Sequence, residues 1–240
     1  MSQLRQSTVR NQLLASLSPD DFALLAGSLR PVDLDLKQTL HAPDQPIEAV
    51  HFPENGMVSM VVPLESGQLM EVGIVGREGM VGLPLVLGAE SASVEAMVQM
   101  RGAALSLPAT TLIEALDRGP ALKALLLRYM QAFHVQVTQT AACNGRHPVE
   151  ERLARWLLMV HDHAEGDTFP MTQEFIATML GVRRAGVSVA AGTLQRTGVI
   201  TYKHGHVAIL DRPGLEGVSC ECYGAVRRQS EHLLGVTTGA

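Results

Sequence analysis

Apolar positions along this chain change their spacing twice. Near the N-terminus, Ser18-Pro19-Asp20-Asp21 forms a cap-like start, and Phe22, Leu24, Leu25 and Leu29 follow at helical steps. From Pro31 to Pro108 the pattern shortens into the runs "AVHFP", "GMVSMVVPL", "LMEVGIV" and "ASVEAMVQM". Turn signals separate them at "APDQP", "PENG", "ESGQ" and "GREG". Strands of this length, punctuated by Gly and Pro, predict a small β-sandwich or roll.

After Pro108 the helical spacing returns. Pro108-Ala109-Thr110 opens one segment with Leu112, Ile113 and Leu116, and Gly119-Pro120 starts a longer one. Along it Leu122, Leu125, Leu126, Tyr129, Met130, Phe133 and Val137 fall at three- and four-residue steps, a width that suits a helix packed on two partners. Self-association through these seven side chains is the expectation. "HPVEERLARWLLMVHDHAEG" reads as another amphipathic helix, with Pro148 in its first turn, Glu150 and Glu151 at its positive end and Gly166 closing it. His161-Asp162-His163 is expected as a polar helix end.

The stretch "MTQEFIATMLGVRRAGVSVAAGTLQ" then holds two short helical runs broken at Gly181-Val182. Thr172 is suited to capping the first, Glu174 lies in its first turn, and Phe175, Ile176, Met179 and Leu180 share a face. Gly181 permits the backbone conformation that ends a helix. The second run starts near Arg183 and buries Val187, Ala190 or Ala191, and Leu194. Such a pair matches a helix-turn-helix, whose second helix enters the major groove N-terminal residues first. "GVITYKHGHVAILD" follows as a hairpin around Lys203-His204-Gly205-His206, placed to act as a wing.

Charge sharpens that reading. The formal net charge is −5, but residues 1–145 carry 9 Lys/Arg against 14 Asp/Glu, whereas residues 146–240 carry 10 of each. Between Arg183 and His206 lie Arg183, Arg184, Arg196 and Lys203 with no acid, so whole-chain charge hides a local basic stripe. No apolar run is long enough for a membrane span, no secretory signal pattern opens the chain, and three cysteines make no disulfide framework. A cytoplasmic location is expected. No phosphate-cradling GxxxxGK, GxSxG elbow or HExxH occurs, so no catalytic arrangement and no enzyme is expected.

Between Val149 and Asp211 the sequence resembles the winged helix of the Crp/Fnr family of bacterial transcription regulators. "VEERLARWLL" is similar to the helix leading into that domain, and "MTQEFIATMLGVRRAGVSVAAGTLQRTGVI" to its helix-turn-helix and the start of the wing. Thr172, Ile176, Ala177, Gly181, Arg184, Val187, Leu194 and Ile200 fall on characteristic positions. The N-terminal half is similar to the family's cyclic-nucleotide-binding-type β-roll and its dimerisation helix. The resemblance therefore implies an α+β chain: a sensor roll over 1–118, a dimerisation helix over 119–145, a winged helix-turn-helix over 146–218 and a tail over 219–240. It implies a homodimer on a palindromic duplex, with RNA polymerase as a further partner. Thr172, Arg183, Arg184, Ala185, Ser188, Val189 and Lys203 are its DNA-facing candidates; Arg184 stands on the family's reader position, and Ala185 and Val189 replace polar readers.

The sensor half departs from the resemblance. In "GMVGLPLVLGAESASVEAMV" Gly82 falls on the family's phosphate-binding Gly, but Leu83 stands where cyclic-AMP binders have Glu. No arginine lies between Arg77 and Arg101. A buried phosphodiester without its arginine loses about 2–3 kcal/mol of charge-assisted bonding, so ordinary cyclic-AMP binding is rejected. Gly82, Leu83, Ser91, Ser93 and Thr138 remain as lining candidates for an unidentified effector. The first 142 residues contain no cysteine, which excludes the N-terminal iron–sulfur cluster of oxygen-sensing relatives. His51 and His134 are the available axial ligands for a haem, which is not the favoured reading. Cys220-Glu221-Cys222, with His204 and His206, can be drawn as a four-ligand site. Its spacing is not that of structural zinc, so a plain tail without metal is expected. The alternative to a gated regulator is an effector-independent module that works through RNA polymerase or another protein.

Overall fold

The computed structural model describes residues 4–235. A 3-10 turn at Gln6–Thr8 leads into α1 (Gln12–Ala15) and α2 (Pro19–Ala26). Ser18 caps α2, its hydroxyl accepting from the Asp21 amide at 3.1 Å. Seven strands follow: β1 (Arg30–Leu34), β2 (Thr39–His41), β3 (Ala49–Pro53), β4 (Met57–Pro63), β5 (Leu69–Val75), β6 (Glu95–Met100) and β7 (Gly102–Pro108). They form two antiparallel sheets, ordered β1-β7-β3 and β2-β6-β4-β5. Val58, Met60, Val75, Ala96, Val98 and Ala104 fill the space between them. This is the predicted roll.

Helices α3 (Ala109–Arg118) and α4 (Pro120–Arg146) close the N-terminal half. Their apolar faces join α1, α2 and the short 3-10 helix Leu83–Leu87 in a second core. Leu122, Leu125, Leu126 and Tyr129 belong to that core and are 7% exposed or less. Phe133 packs partly against the roll interior, and Met130 and Val137 are half-buried. The apolar stripe assigned to self-association is thus largely occupied inside the chain. The roll offers α4 more apolar surface than its strand lengths implied.

The C-terminal half comprises α5 (Val149–His161), β8 (Thr168–Pro170), α6 (Gln173–Leu180), α7 (Arg184–Arg196), β9 (Ile200–Lys203), β10 (His206–Ile209), α8 (Arg212–Val218) and α9 (Cys222–Leu234). Strands β8, β10 and β9 make a three-stranded antiparallel sheet. The hairpin of that sheet was legible; β8, only three residues long, was not. The segment expected as a plain tail is mostly α9, packed along α4; residues 236–240 of it lie outside the described residues.

One core runs through both halves. Met57, Val61 and Ile74 of the four-stranded sheet pack with Leu153, Trp156, Leu157, Ile176, Leu180, Val187 and Leu194. At its centre Glu71 of β5, 5% exposed, accepts the Trp156 indole N–H at 2.7 Å and the Ser59 hydroxyl at 2.6 Å. His163 reaches back to Glu78 at 3.6 Å, and Gln136 of α4 accepts the Ile74 amide at 2.6 Å. The other members of the His161–His163 trio enter a network with Arg212. Its guanidinium meets Asp162 at 2.5 Å, His161 Nδ1 at 2.7 Å and the Tyr223 hydroxyl at 2.6 Å, fastening α5 to α8 and α9.

Candidate nucleic-acid interface

Local chemistry builds the helix pair. The Thr172 hydroxyl accepts the Phe175 amide at 3.2 Å, satisfying a donor that α6 cannot, and Glu174 stands in the positive first turn. Gly181, at φ +61 and ψ 39, closes the helix in the left-handed region, and the Val182 amide donates to the Ala177 carbonyl at 3.0 Å. A Cβ at Gly181 would also meet the Met70 side chain at 3.0 Å, so this turn is fitted against β5. Three residues, Gly181 to Arg183, suffice to reach α7.

Helix α7 buries Val187, Ala190, Ala191 and Leu194 against α5 and α6. Its other face carries Arg184, Ala185, Ser188 and Val189, all exposed, with Val189 at 64%. Arg183 is its N-cap residue, with no side-chain cap bond and no acid in the first turn. The partial positive charge of this helix end therefore faces outward beside two guanidinium groups, an anion-favouring arrangement.

Two contacts qualify the predicted readers. Arg184 Nη1 lies 2.9 Å from Glu174 Oε1, both side chains being about two-thirds exposed. Such a surface pair contributes little and is readily exchanged for a phosphate or base. The Ser188 hydroxyl donates to Gln173 Oε1 at 2.6 Å, bracing α7 on α6. Gln173 and Glu174 were not among the sequence candidates. Their positions at the start of α6, beside the Thr172 cap, were the available signal. Lys203 is exposed at the end of β9, where His204 (φ 50) and Gly205 (φ 77) make the two-residue turn with both central residues left-handed. Thr172, Arg183, Arg184, Ala185, Ser188, Val189 and Lys203 all have exposed side chains.

The effector candidates do not gather in the same way. Gly82 starts the short 3-10 helix at φ +107, and a Cβ there would meet Val50 Cγ1 at 2.6 Å. Leu83 packs toward the core that contains α4. Ser91 and Ser93 are exposed, Ser91 in an isolated bridge to Pro46. Thr138 is exposed on α4, its hydroxyl bonded to the His134 carbonyl at 2.8 Å. None of the five lines either of two clefts next to α5, one bounded by α4, α5 and α9 and one of about 280 Å³ bounded by Arg10, Glu54, Arg77, His161 and Arg212. Of the two histidines considered for haem, His134 is exposed, and burial holds His51 down to a pKa of about 4.

Residues 151–218 match the model of the Crp-like helix-turn-helix domain. The C-terminal half carries a Crp-like DNA-binding domain. The Crp-like domain sits within a chain whose whole architecture is shared with Crp/Fnr regulators. FixK2 from Bradyrhizobium japonicum superposes with a TM-score of 0.69 at 18% identity, over 80% of this chain and 98% of that one. A CRP-family transcriptional regulator from Thermus thermophilus gives 0.63 at 20% identity, over 87% and 99%. CLP from Xanthomonas campestris, a c-di-GMP-responsive global regulator, gives 0.63 at 14% identity, over 80% and 99%. These likenesses establish the fold of both halves. No curated protein matches the chain. Among the described residues no helix is long and apolar enough to cross a membrane.

Proposed function

We propose that this protein is a sequence-specific transcription regulator that binds double-stranded DNA as a homodimer, its two α7 helices reading the half-sites of a palindrome. The observation that carries the reading is the exposed, uncapped N-terminal end of α7 with Arg183 and Arg184, on a Crp-like domain. Arg184 is the base reader, able to donate two parallel bonds to guanine O6 and N7; Arg183 and the Lys203 wing hold phosphates. Ala185 and Val189 offer methyl groups to thymine, giving this helix an apolar component to its specificity.

The dimer seam lies on the face of α4 that the roll leaves open. Ala124, Leu127, Gln131, His134, Thr138, Ala141 and Gly145 recur at alternating three- and four-residue steps, and six of them are exposed side chains. The small residues near Ala141 and Gly145 allow two helices to approach closely where the DNA-binding halves begin. This face replaces the Leu122–Val137 stripe as the proposed interface.

Gating by an unidentified effector other than ordinary cyclic AMP completes the proposal, with RNA polymerase as a protein partner and the cytoplasm as the setting. The absence of an arginine between Arg77 and Arg101, and Leu83 where cyclic-AMP binders carry Glu, support the rejection of cyclic AMP. The test is retention of genomic DNA fragments by purified protein across a salt series. Wild type is expected to retain a discrete subset, with affinity falling steeply as salt rises, and Arg184→Ala to lose that subset. Equal retention of all fragments by both proteins would overturn the reading.

A further inference from the structure

All three cysteines of the chain meet at one place. Cys143 lies in the last turn of α4, and His147, the C-cap residue of that helix, is one turn further on. Cys220 and Cys222 come from the junction between α8 and α9. Cys143 Sγ is 3.5 Å from Cys220 Sγ, and Cys222 Sγ is 3.6 Å from His147 Nδ1. The four donor atoms all lie within 4.8 Å of one another, with the three cysteines buried and His147 half-buried.

These separations have a geometric meaning. Donors about 2.0–2.3 Å from a tetrahedral centre are about 3.5–3.8 Å apart along each edge. The two contacts above already have that length, and the sulfurs are too far apart for a disulfide, whose atoms lie about 2.05 Å apart. An iron–sulfur cluster divides its four protein ligands among two or more irons, so some of its donors must lie farther apart than the 4.8 Å that encloses these.

We propose that Cys143, His147, Cys220 and Cys222 form a closed four-ligand site for one soft divalent cation of the zinc class. Three thiolates and a neutral imidazole match the Cys3His donor set of structural zinc centres. Binding releases the three thiol protons to solvent. The loaded site carries one net negative charge, and the guanidinium groups of Arg152 and Arg155 on α5 are its electrostatic neighbours. Around the ligands, the Glu221 carboxylate lies 3.3 Å from His147 Nε2, which fixes the ring with Nδ1 turned to the sulfurs. The Gln139 amide donates to Cys222 Sγ at 3.0 Å.

The place in the fold assigns a role. The site staples the end of α4, where the DNA-binding half begins, to the C-terminal helix. Arg152 extends the connection, since its guanidinium donates to the Leu180 carbonyl just before the Gly181 turn. A cation here therefore stiffens the joint that carries the recognition helix.

The experiment is metal analysis of the full-length protein, purified anaerobically without chelator and then exposed to Zn2+ or Co2+ with excess removed by gel filtration. One Zn2+ per chain is expected, and the Co2+ form is expected to show visible bands of tetrahedral coordination with sulfur-to-cobalt charge transfer. Cys220→Ser and His147→Ala should each retain at least tenfold less metal, and Glu221→Gln should weaken binding by about 10–100-fold. Should Cys220→Ser fail to fold by circular dichroism, His147→Ala, which leaves the buried thiols in place, carries the test. Reconstituted wild type without metal would overturn the proposal. So would a Cys143–Cys220 disulfide in the anaerobic protein, or metal retained equally by the ligand variants.

Discussion

Glu71→Gln tests the joint between the roll and the Crp-like domain. Burial pushes the Glu71 carboxyl up from 4.5 to about 7, although the bonds from Ser59 and Trp156 and the Arg155 charge pull the other way. A carboxyl raised on folding holds its proton more tightly in the folded chain. Its folded form is therefore fully favoured below about pH 4.5, and stability is lost as pH rises toward 7. Across that window the loss amounts to about 3 kcal/mol, and Glu71 is buried enough that no solvent discount applies. His51 acts in the opposite sense: its pKa is depressed to about 4 by burial, so its contribution is present above 6.5 and is lost as pH falls. Comparing wild type with Glu71→Gln removes that background, since glutamine keeps a neutral side chain at every pH. The assay is urea unfolding followed by the fluorescence of Trp156, the single tryptophan, at about pH 4.5 and pH 8. Relative to the variant, wild type is expected to lose about 3 kcal/mol between those conditions. Parallel pH profiles for the two proteins would refute the argument.

Other substitutions probe separate parts of the account. Thr172→Ala removes the α6 cap and is expected to lower unfolding free energy by about 1 kcal/mol, read from the urea midpoint. Arg212→Met leaves Asp162, whose side chain is 5% exposed, without its cation. The expected cost is about 2–3 kcal/mol, below that of a fully buried pair because Arg212 is itself 28% exposed. Leu127→Asp places a charge on the open face of α4 and should weaken dimerisation at least tenfold in analytical ultracentrifugation, while Leu125→Ala should chiefly destabilise each chain.

The C-terminal half was more legible in the sequence than the N-terminal half because its signals are local. Thr172, Gly181 and the Lys203–His206 turn each set a backbone conformation through their own chemistry, and the helix pair and the wing hairpin follow from them. Side-chain partners across the fold left no such trace. The stripe from Leu122 to Val137 has the same period whether it faces a second copy or the roll, and only the tertiary packing of α4 on the roll, α3 and the 3-10 helix Leu83–Leu87 buries its first half within the chain. In sequence Cys220 and Cys222 stand close to His204 and His206, which lie on the exposed wing. Their true neighbours, Cys143 and His147, were marked only by a one-turn spacing at the end of α4, more than seventy residues away in sequence. Glu71 and Trp156 are likewise joined only by tertiary packing.

The most direct test of the central claim is selection from a random duplex library with purified wild-type protein and Arg184→Ala in parallel, at near-physiological salt and with cell-extract metabolites present in one arm. Wild type is expected to enrich a palindrome, its half-sites about one helical turn apart, in at least one arm, and Arg184→Ala to lose the preference at the guanine it reads. Folded, dimeric wild type that enriches no sequence in either arm would contradict that claim.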